Sequence, residues 1–390
     1  MILPTKLENA KRDAAARIWV GKMGTDATRY DVVVDGHFEH DGAARNELIS
    51  LRVQESSGDS NRFVRLIVKR WEPTGWVTQL TGIESPVEHL LWKNNDVDDI
   101  NAIDGVLVPT IGSCRTDENT WIIMEDVSHQ LISWKQISNE STDLSPERSV
   151  LDRLAALHVK WEDRLHQRRP QSMAARLVSQ ERRMRWFESL IREWFAGATP
   201  DSTESENIRA AKAQLAWAQE LESAFLSRLT EKTRSLLLRN TFSRNVIVDA
   251  AICLPKVLIH EDLDILNVGL DLDDDNGTVI LIDWELASVA NAAQDPIYFL
   301  GNPLREVSSK FDIVDYYYDR YRSHGGQAMN NQIWKRSCDI ALASYAVTQF
   351  PVRAELLIRR LPDEGPGIAF AWVDRIMEAL HEIALPTRAS

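Results

Sequence analysis

The sequence has 390 residues, of which 44% are hydrophobic and 26% are charged, and its formal net charge is −13. This length predicts two domains or lobes with room for a substantial core, and the composition is that of an ordinary globular protein. The acidic balance argues against nucleic acid or an anionic membrane as the main partner, because both bind basic surfaces. An acidic surface also suits a cationic ligand, although it more often serves only solubility.

The cysteines and the N-terminal segment indicate the cellular compartment. The three cysteines, Cys114, Cys253 and Cys338, are scattered and odd in number. They indicate neither a disulfide framework nor a metal-binding spacing, and a reducing cytoplasm is the default location. The first residues contain no sustained apolar segment of the kind that a secretory signal needs, and no apolar run reaches the length of a membrane span. We therefore expect a soluble cytoplasmic protein.

The first part of the chain predicts an antiparallel sheet. Residues 1–30 have a loosely helical spacing and carry no motif to which chemistry can be assigned. From there on, runs rich in β-branched residues alternate with turn residues, which is typical of successive short strands. These strands are predicted at 32–34, 47–53 and 63–68. Lys69 ends the third strand, and a helical segment follows from Glu84 to Lys93, with Pro86 tolerated in its first turn.

A second pair of strands and a largely helical remainder come next. The strands are predicted at 105–112 and 121–124, and the second runs into Glu125-Asp126-Val127. Ser145 and Pro146 suit an N-cap and a first helical position. They open a helix with apolar residues at 150, 151, 154, 157 and 161. Further helices are predicted at 173–197, 207–238, 316–321, 339–350 and 366–385.

The tryptophans of the central helical tracts have two interpretations. Trp186, Trp194 and Trp217 most simply pack between helices, but a subset of them would also suit the wall of a substrate cleft. His158, on the helix that opens at Ser145, is interpreted as a core residue rather than a ligand.

The polar residues that matter most come directly after two apolar runs. The runs, 256–259 and 278–282, are too short for helices and rich in Val and Ile, so they predict buried strands. The first leads into His260, Asp262, Asp264 and Asn267, and the second leads into Asp283. Asp275-Asn276-Gly277 is a hairpin signal, and a two-residue loop at Asn276–Gly277 would pair residue 270 with residue 283. Asp283 would then lie about 10 Å along the strand from the level of Asn267. A carboxylate and a carboxamide thus converge beside Asp262, an arrangement that suits Mg²⁺.

The spacing His-x-Asp-x-x-x-x-Asn, followed by a strand that ends in Asp, is that of a kinase catalytic loop and its metal-binding aspartate. The segments LIHEDLDILNV, VILIDWELA and QDPIYFL together resemble the aminoglycoside phosphotransferase-like, or choline kinase-like, family, in which Asp-Trp replaces Asp-Phe-Gly. The resemblance implies an α+β, two-lobed protein-kinase-like fold. An N-lobe of antiparallel sheet plus helix is expected at 1–125 and a mainly helical C-lobe at 126–390. A helical insertion at about 165–245 would help to choose the acceptor.

The resemblance also assigns roles to residues of the reaction centre. Asp262 would orient the acceptor hydroxyl, and Asn267 and Asp283 would hold Mg²⁺. Lys69 would grip the non-transferred phosphates of ATP or GTP. Glu88 is the acid that we expect to hold Lys69, with Asp96 and Glu84 as the alternatives.

Other parts of the resemblance concern the nucleotide and the loop. The segment from Gly42 to Asn46 resembles the short loop that covers the phosphates in this family, although a plain hairpin turn explains it equally well. The backbone of Glu125 and Val127, at the hinge, would bind adenine. Asp295 would brace the catalytic loop, and His260 is expected to hydrogen-bond within that loop rather than to ionise.

The predicted function is ATP- and Mg²⁺-dependent phosphorylation of a hydroxyl on a small molecule, such as an aminoglycoside-like antibiotic, an amino alcohol or a related metabolite. Glu261 and Asp264 stand where family members often have non-acidic residues, so a polar or amine-bearing, and hence cationic, acceptor is expected. Two alternatives remain open. A nucleotide-binding protein without catalysis is favoured by the missing glycine-rich loop, and a metal-dependent phosphohydrolase would use His260, Asp262 and Asp264 as ligands.

Overall fold

A computed structural model describes most of the chain. The described residues are 30–38, 47–55, 63–71, 86–115, 119–131, 145–167, 216–217, 220–242, 247, 249–251, 253–271, 277–301 and 307–384. Within these ranges, no helix combines the length and the apolar character that a bilayer span requires.

The N-terminal part of the described chain is an antiparallel sheet. Its five strands lie in the order β1-β2-β3-β6-β5. They are β1 (Tyr30–Phe38), β2 (Glu47–Glu55), β3 (Phe63–Trp71), β5 (Thr110–Arg115) and β6 (Thr120–Glu125). The strands predicted at 32–34, 47–53, 63–68 and 121–124 form, and the first three extend further than predicted because the ladder pairs the ends of β1, β2 and β3 in register. The prediction of one strand at 105–112 is wrong, because this segment divides into two strands that pair in different sheets. The short strand β4 (Val106–Leu107) leaves this sheet and pairs elsewhere.

Two short helices lie between β3 and β4. They are α1 (Val87–Lys93) and α2 (Asp96–Asn101). Pro86 precedes α1, where its missing N–H costs nothing. Val87 and Leu91 are buried, and α1 packs against β5, β6 and the 3₁₀ turn Trp284–Leu286. This packing brings the helix that carries Glu88 against the far end of the predicted hairpin.

Four short strands flank the polar residues, and two of them form the predicted hairpin. They are β7 (Lys256–Ile259), β8 (Val268–Asp271), β9 (Thr278–Leu281) and β10 (Ser288–Asn291). β8 pairs with β9, β9 pairs in parallel with β4, and β7 pairs with β10.

The predicted register of this hairpin is wrong. Leu270 pairs with Val279 and not with residue 283, and Asp271–Thr278 is the last pair of the ladder. The predicted register would have placed Asp274 and Asp273 opposite Val279 and Ile280, whereas the observed one places Leu270 and Gly269 there. Burial of the apolar face decides register more strongly than a turn dipeptide does.

The remaining described chain is mainly helical. Its helices are α3 (Ser145–Gln167), α4 (Glu231–Phe242), α5 (Gln294–Gly301), α6 (Val307–Ser323), α7 (Asn331–Thr348), α8 (Phe350–Arg360) and α9 (Gly365–Ala384). The predicted apolar positions of α3, from Val150 to Trp161, are all buried. The sequence analysis missed α8 as a separate helix. Pro351 lies in the first turn of α8, where proline fits, whereas it would interrupt the interior of a longer helix. The α+β class predicted from the sequence, with an antiparallel N-terminal sheet followed by a mainly helical remainder, is confirmed.

The central helical tract is described only in part. Residues 220–227 are helical and α4 follows after a break at 228–230. Trp217 is 46% exposed, so the interpretation of this residue as packed between helices is wrong. Trp186, Trp194, Gly42, Asn46, Glu84 and residues 1–29 lie outside the described residues.

Candidate active site

A side chain of α5 holds the loop that follows β7. Asp295, which is fully buried, accepts hydrogen bonds from the backbone N–H groups of His260, at 2.8 Å, and Glu261, at 2.9 Å. A buried carboxylate with two N–H donors fixes the path of the chain at this point. The bracing role predicted for Asp295 is therefore visible in the structure.

His260 joins the loop to the opposite hairpin arm. Its Nε2 lies 2.7 Å from the carbonyl oxygen of Ile282. Burial lowers the pKa of the imidazole, against the opposing effect of Asp295. A neutral imidazole that donates to a carbonyl fits this pair, so His260 acts as a structural link within the loop, as the sequence predicts.

Asp262 and Asn267 close the loop on itself. The side-chain amide nitrogen of Asn267 donates to the backbone carbonyl of Asp262 at 2.8 Å and lies 3.3 Å from its Oδ2. The amide nitrogen is thereby committed to the loop, which directs Oδ1 of Asn267 away from these bonds. That oxygen is the atom with which a carboxamide binds a cation.

Asp283 lies beside Asn267 because the hairpin ladder continues for one more bond. The N–H of Ile282 donates to the carbonyl of Asn267 at 3.0 Å, and Asp283 is the next residue. Asp283 has a positive φ of 61°, an uncommon conformation for a residue other than glycine. The pKa of Asp262 is raised to about 7, first by burial and then by the carboxylates of Asp283 and Asp264, against the opposing effects of Arg353 and Asn267. The bond at Ile282 thus brings Asp283 to the loop that carries Asp262 and Asn267.

Lys69 is the cation around which the acids gather. Its Nζ lies 2.6 Å from Oδ1 of Asp283, 3.2 Å from Oε2 of Glu88 and 3.1 Å from Oε2 of Glu285. Burial alone would lower the pKa of Lys69, but the three carboxylates outweigh it and raise this pKa well above the ordinary value. Lys69 is therefore charged, and it connects β3, α1 and the end of β9.

The pKa of Glu88 indicates that the ammonium group of Lys69 does not neutralise all three carboxylates around it. This pKa is raised to about 7, first by burial and then by the carboxylates of Asp283 and Glu285, against the opposing effect of Lys69. Of the three acids considered for Lys69, the structure brings Glu88 to it. Asp96 is buried in α2 and is not among the carboxylates that the described structure bonds to Lys69.

Glu285 is a site residue that the sequence analysis missed. The signal was an acid two residues after Asp283, just beyond the strand that was predicted to be buried at 278–282. The 3₁₀ turn after Asp283 brings Glu285 back towards β3, and its side chain is only 7% exposed.

The segment after β6 has the backbone groups expected of a hinge. The N–H of Glu125 donates to the carbonyl of Pro109 at 3.0 Å, and the carbonyl of Val127 accepts from Gln130 at 2.9 Å. These bonds leave untouched the carbonyl of Glu125 and the N–H of Val127. A carbonyl and an N–H two residues apart are the pair that adenine requires.

The two acids expected to attract a cationic acceptor have partners inside the protein. Oε2 of Glu261 accepts from Ser288 Oγ at 2.5 Å, and Oδ2 of Asp264 accepts from Arg353 Nη2 at 2.7 Å. Arg353 thus offsets the charge of Asp264, whereas Ser288 gives Glu261 a hydrogen bond but no opposite charge. The same bonds oppose the phosphohydrolase alternative, because His260 and Asp264 are engaged as structural groups. Within the described chain, no group of three or more His, Cys, Asp or Glu side chains is arranged to hold a metal.

Neither a protein-family model nor a curated protein matches this sequence. Solved structures of small-molecule kinases, the group that the motifs resemble, do match. Plasmodium vivax ethanolamine kinase is 12% identical, with 95% of this chain and 87% of that one covered and a TM-score of 0.45. Choline kinase LicA from Streptococcus pneumoniae is 12% identical, with 95% and 99% covered and a TM-score of 0.42. An aminoglycoside phosphotransferase from Alicyclobacillus acidocaldarius is 13% identical, with 91% and 94% covered and a TM-score of 0.43. Because these identities and TM-scores are low, the chemistry of this chain is inferred from its own side chains.

Proposed function

We propose that this protein is a Mg²⁺-dependent phosphotransferase that moves the terminal phosphoryl group of ATP or GTP to a hydroxyl of a small molecule. The observation that carries the proposal is the contact of Lys69, on β3, with Asp283, at the end of β9. This contact joins the sheet to the loop of Asp262 and Asn267. Positioning and charge neutralisation are what phosphoryl transfer requires of a protein.

Asn267 and Asp283 are suited to hold the metal ion. One carboxamide oxygen and one carboxylate match the small number of protein ligands that Mg²⁺ takes when phosphates and waters complete its shell. The Asp283 side chain is 34% exposed, which leaves room for such ligands. When bound, Mg²⁺ would neutralise the charge on the phosphate oxygens.

Asp262 is the candidate for orienting the acceptor hydroxyl. Its loop is fixed by Asp295 at one end and by Asn267 at the other. A carboxyl group with a pKa of about 7 is well matched to accept a proton from the hydroxyl as the bond to phosphorus forms.

The nucleotide would lie between the sheet and the helical part of the chain. Lys69, held by Glu88, would steady the non-transferred phosphates, and the backbone of Glu125 and Val127 would bind the base. Gly42 and Asn46 are proposed to cover the phosphates on sequence grounds alone. On this proposal the lobes meet near residue 125, and the acceptor enters beside the segment 165–245.

A screen with labelled nucleotide tests the proposal. Purified protein is incubated with Mg²⁺ and labelled ATP or GTP against pooled amino-sugars, amino alcohols and nucleosides, and transfer to an acceptor is measured. Asp262→Ala is expected to reduce transfer by at least about 1,000-fold while nucleotide affinity stays near the wild-type value, because the carboxylate acts only on the acceptor.

Asp319→Ala is the matched control, since Asp319 is exposed on α6, and it should leave transfer unchanged. Nucleotide binding without transfer to any acceptor, unaffected by Asp262→Asn, would instead identify a binding protein without catalysis.

A further inference from the structure

The loop that carries Asp262 is held by a charged residue from a distant helix. Nη2 of Arg353, on α8, lies 2.7 Å from Oδ2 of Asp264. The other carboxylate oxygen of Asp264 accepts from the N–H of Leu266 at 3.4 Å. The Asp264 side chain is only 9% exposed, and both of its oxygens are used within the protein.

Asp264 occupies the centre of the loop. Its N–H donates to the carbonyl of Asp262 at 2.8 Å, and its carbonyl accepts from the N–H of Asn267 at 2.9 Å. A displacement of Asp264 therefore moves both the candidate base and the candidate metal ligand. Within the described loop 260–267, Asp264 is the residue whose own backbone bonds to both Asp262 and Asn267.

The helix that carries Arg353 is itself firmly anchored. Glu355, two residues further along α8, accepts two hydrogen bonds from Arg228, at 3.0 and 3.2 Å, and one from Arg359 at 3.1 Å. At the start of the helix, Phe350 contacts Phe225 edge-to-face with ring centroids 5.4 Å apart. The guanidinium of Arg353 thus projects from a fixed support.

The position of Arg353 in its helix is unfavourable without a partner. It lies at the end of the first turn of α8, and that turn contains no acid. The positive end of the helix dipole disfavours a cation there. The bond to Asp264 offsets this cost and explains why the positive charge of Arg353 is tolerated in the first turn of α8.

We propose that Arg353 is a positioning residue for phosphoryl transfer, which holds the Asp262–Asn267 loop in its reactive geometry through Asp264. This inference rests on the proposed function for its kinetic part, but the holding of the loop is a property of the protein alone. Arg353 makes a single contact with Asp264, so a lysine can replace it in part.

Hydrogen exchange measured by mass spectrometry tests the holding of the loop without any substrate. Arg353→Met is expected to increase amide exchange at 260–267 about tenfold over the wild type, while Arg353→Lys stays within about threefold. Arg375→Met is the matched control, because Arg375 also lies on a C-terminal helix and also bonds a carboxylate, that of Glu378, at 2.7 Å. Equal exchange in the Arg353→Met and Arg375→Met proteins overturns the proposal.

Kinetics with Mg²⁺, ATP and the acceptor found in the screen test the consequence. Arg353→Met should lower kcat about 10- to 100-fold with the KM for ATP nearly unchanged, because misplacement of the reacting groups affects the chemical step rather than nucleotide binding. The double variant with Asp264→Asn should be no slower than the slower single variant, since Arg353 acts through Asp264.

The two tests separate the two claims. A faster-exchanging loop with no transfer in the wild type would support the holding role and reject the kinase function. Transfer in the wild type that Arg353→Met leaves unchanged would support the kinase function and reject the positioning role.

Discussion

Two clusters of charge in this molecule, each arranged around a buried side chain, are built in opposite ways. In the first, the single ammonium group of Lys69 faces the carboxylates of Glu88, Asp283 and Glu285. In the second, the single carboxylate of Glu355 faces the guanidinium groups of Arg228 and Arg359. Burial raises the pKa of Glu88 to about 7, whereas the hydrogen bond from Arg228 lowers the pKa of Glu355.

The difference in charge balance distinguishes a candidate binding site, at Lys69, from a cluster that only stabilises the fold, at Glu355. The Glu355 cluster satisfies its own carboxylate and needs no further ion. The Lys69 cluster has more acid than base in a buried place, so a cation bound at Asp283 would relieve it. A structure that served stability alone would have no reason to keep two additional acids around one lysine.

Within the two clusters, the largest expected effect follows from removing the positive charge of Lys69. Lys69→Met should lower transfer by about 100- to 1,000-fold, because a positive charge that faces the phosphates is lost from a buried site. Initial rates with Mg²⁺ and labelled ATP measure the effect. Lys232→Met, at an exposed position of α4, is the control and should retain full transfer. Retention of transfer in the Lys69→Met protein would show that the cluster is not a phosphate site.

The same substitution at the two buried glutamates compares the clusters directly. Glu355→Gln should lower the free energy of unfolding by about 1–2 kcal/mol, because charge-assisted hydrogen bonds from two arginines are weakened. Glu88→Gln should cost clearly less, since Glu88 with a pKa of about 7 is already neutral part of the time at neutral pH. Urea denaturation at pH 7 measures both.

Glu88→Gln should nevertheless lower transfer, because Lys69 loses a carboxylate that orients it. Equal losses of stability in the two variants would remove the distinction between the clusters. Transfer at the wild-type rate in the Glu88→Gln protein would remove the role of Glu88.

The smallest effect concerns a second cluster of the structural kind. Partial burial alone would raise the pKa of Asp152, but hydrogen bonds from Arg320 and His324 outweigh it and lower this pKa. A carboxyl group with a lowered pKa in the folded state adds stability above its unfolded pKa and loses it as the pH falls through the folded value. This contribution is therefore present above about pH 4 and disappears below it.

Asp152→Asn tests this pH dependence. The variant should be less stable than the wild type at neutral pH by under about 1 kcal/mol, since Arg320 is partly exposed. The difference should shrink as the pH falls below 4, as measured by urea denaturation across the pH range. A difference that grows towards low pH would contradict the lowered pKa.

Much of the fold could be predicted because the relevant signals are local. The apolar run before His260 is a strand because it is short and rich in Val and Ile, and the apolar positions of α3 are buried because they recur at helical spacing. The hairpin register could not be predicted in this way. It depends on which side chains β9 faces across the ladder, and the Asn-Gly signal carries no information about that.

The candidate site was predictable where its residues share one segment. Asp262, Asn267 and Asp283 follow from the spacing within a single stretch of sequence. The contact of Arg353 with Asp264 joins residues 89 positions apart, and α8 was not expected as a separate helix. The expectation of a cationic acceptor failed to account for this pairing, because the charge of an acid in sequence says nothing about its partner in space.

The sequence by itself determined which groups are present and in what order: a lysine at the end of β3, an acid on α1, and a loop and hairpin whose polar residues have the spacing of a kinase catalytic loop. Only the tertiary structure decided how the charges are shared. The packing of α1 and of the turn after Asp283 brings three carboxylates to Lys69, and the docking of α8 turns Asp264 from a free acid into a support of the loop. The physical reason is that charge interactions act across space at a few ångströms and depend on burial, and neither distance nor burial is written in the order of the residues.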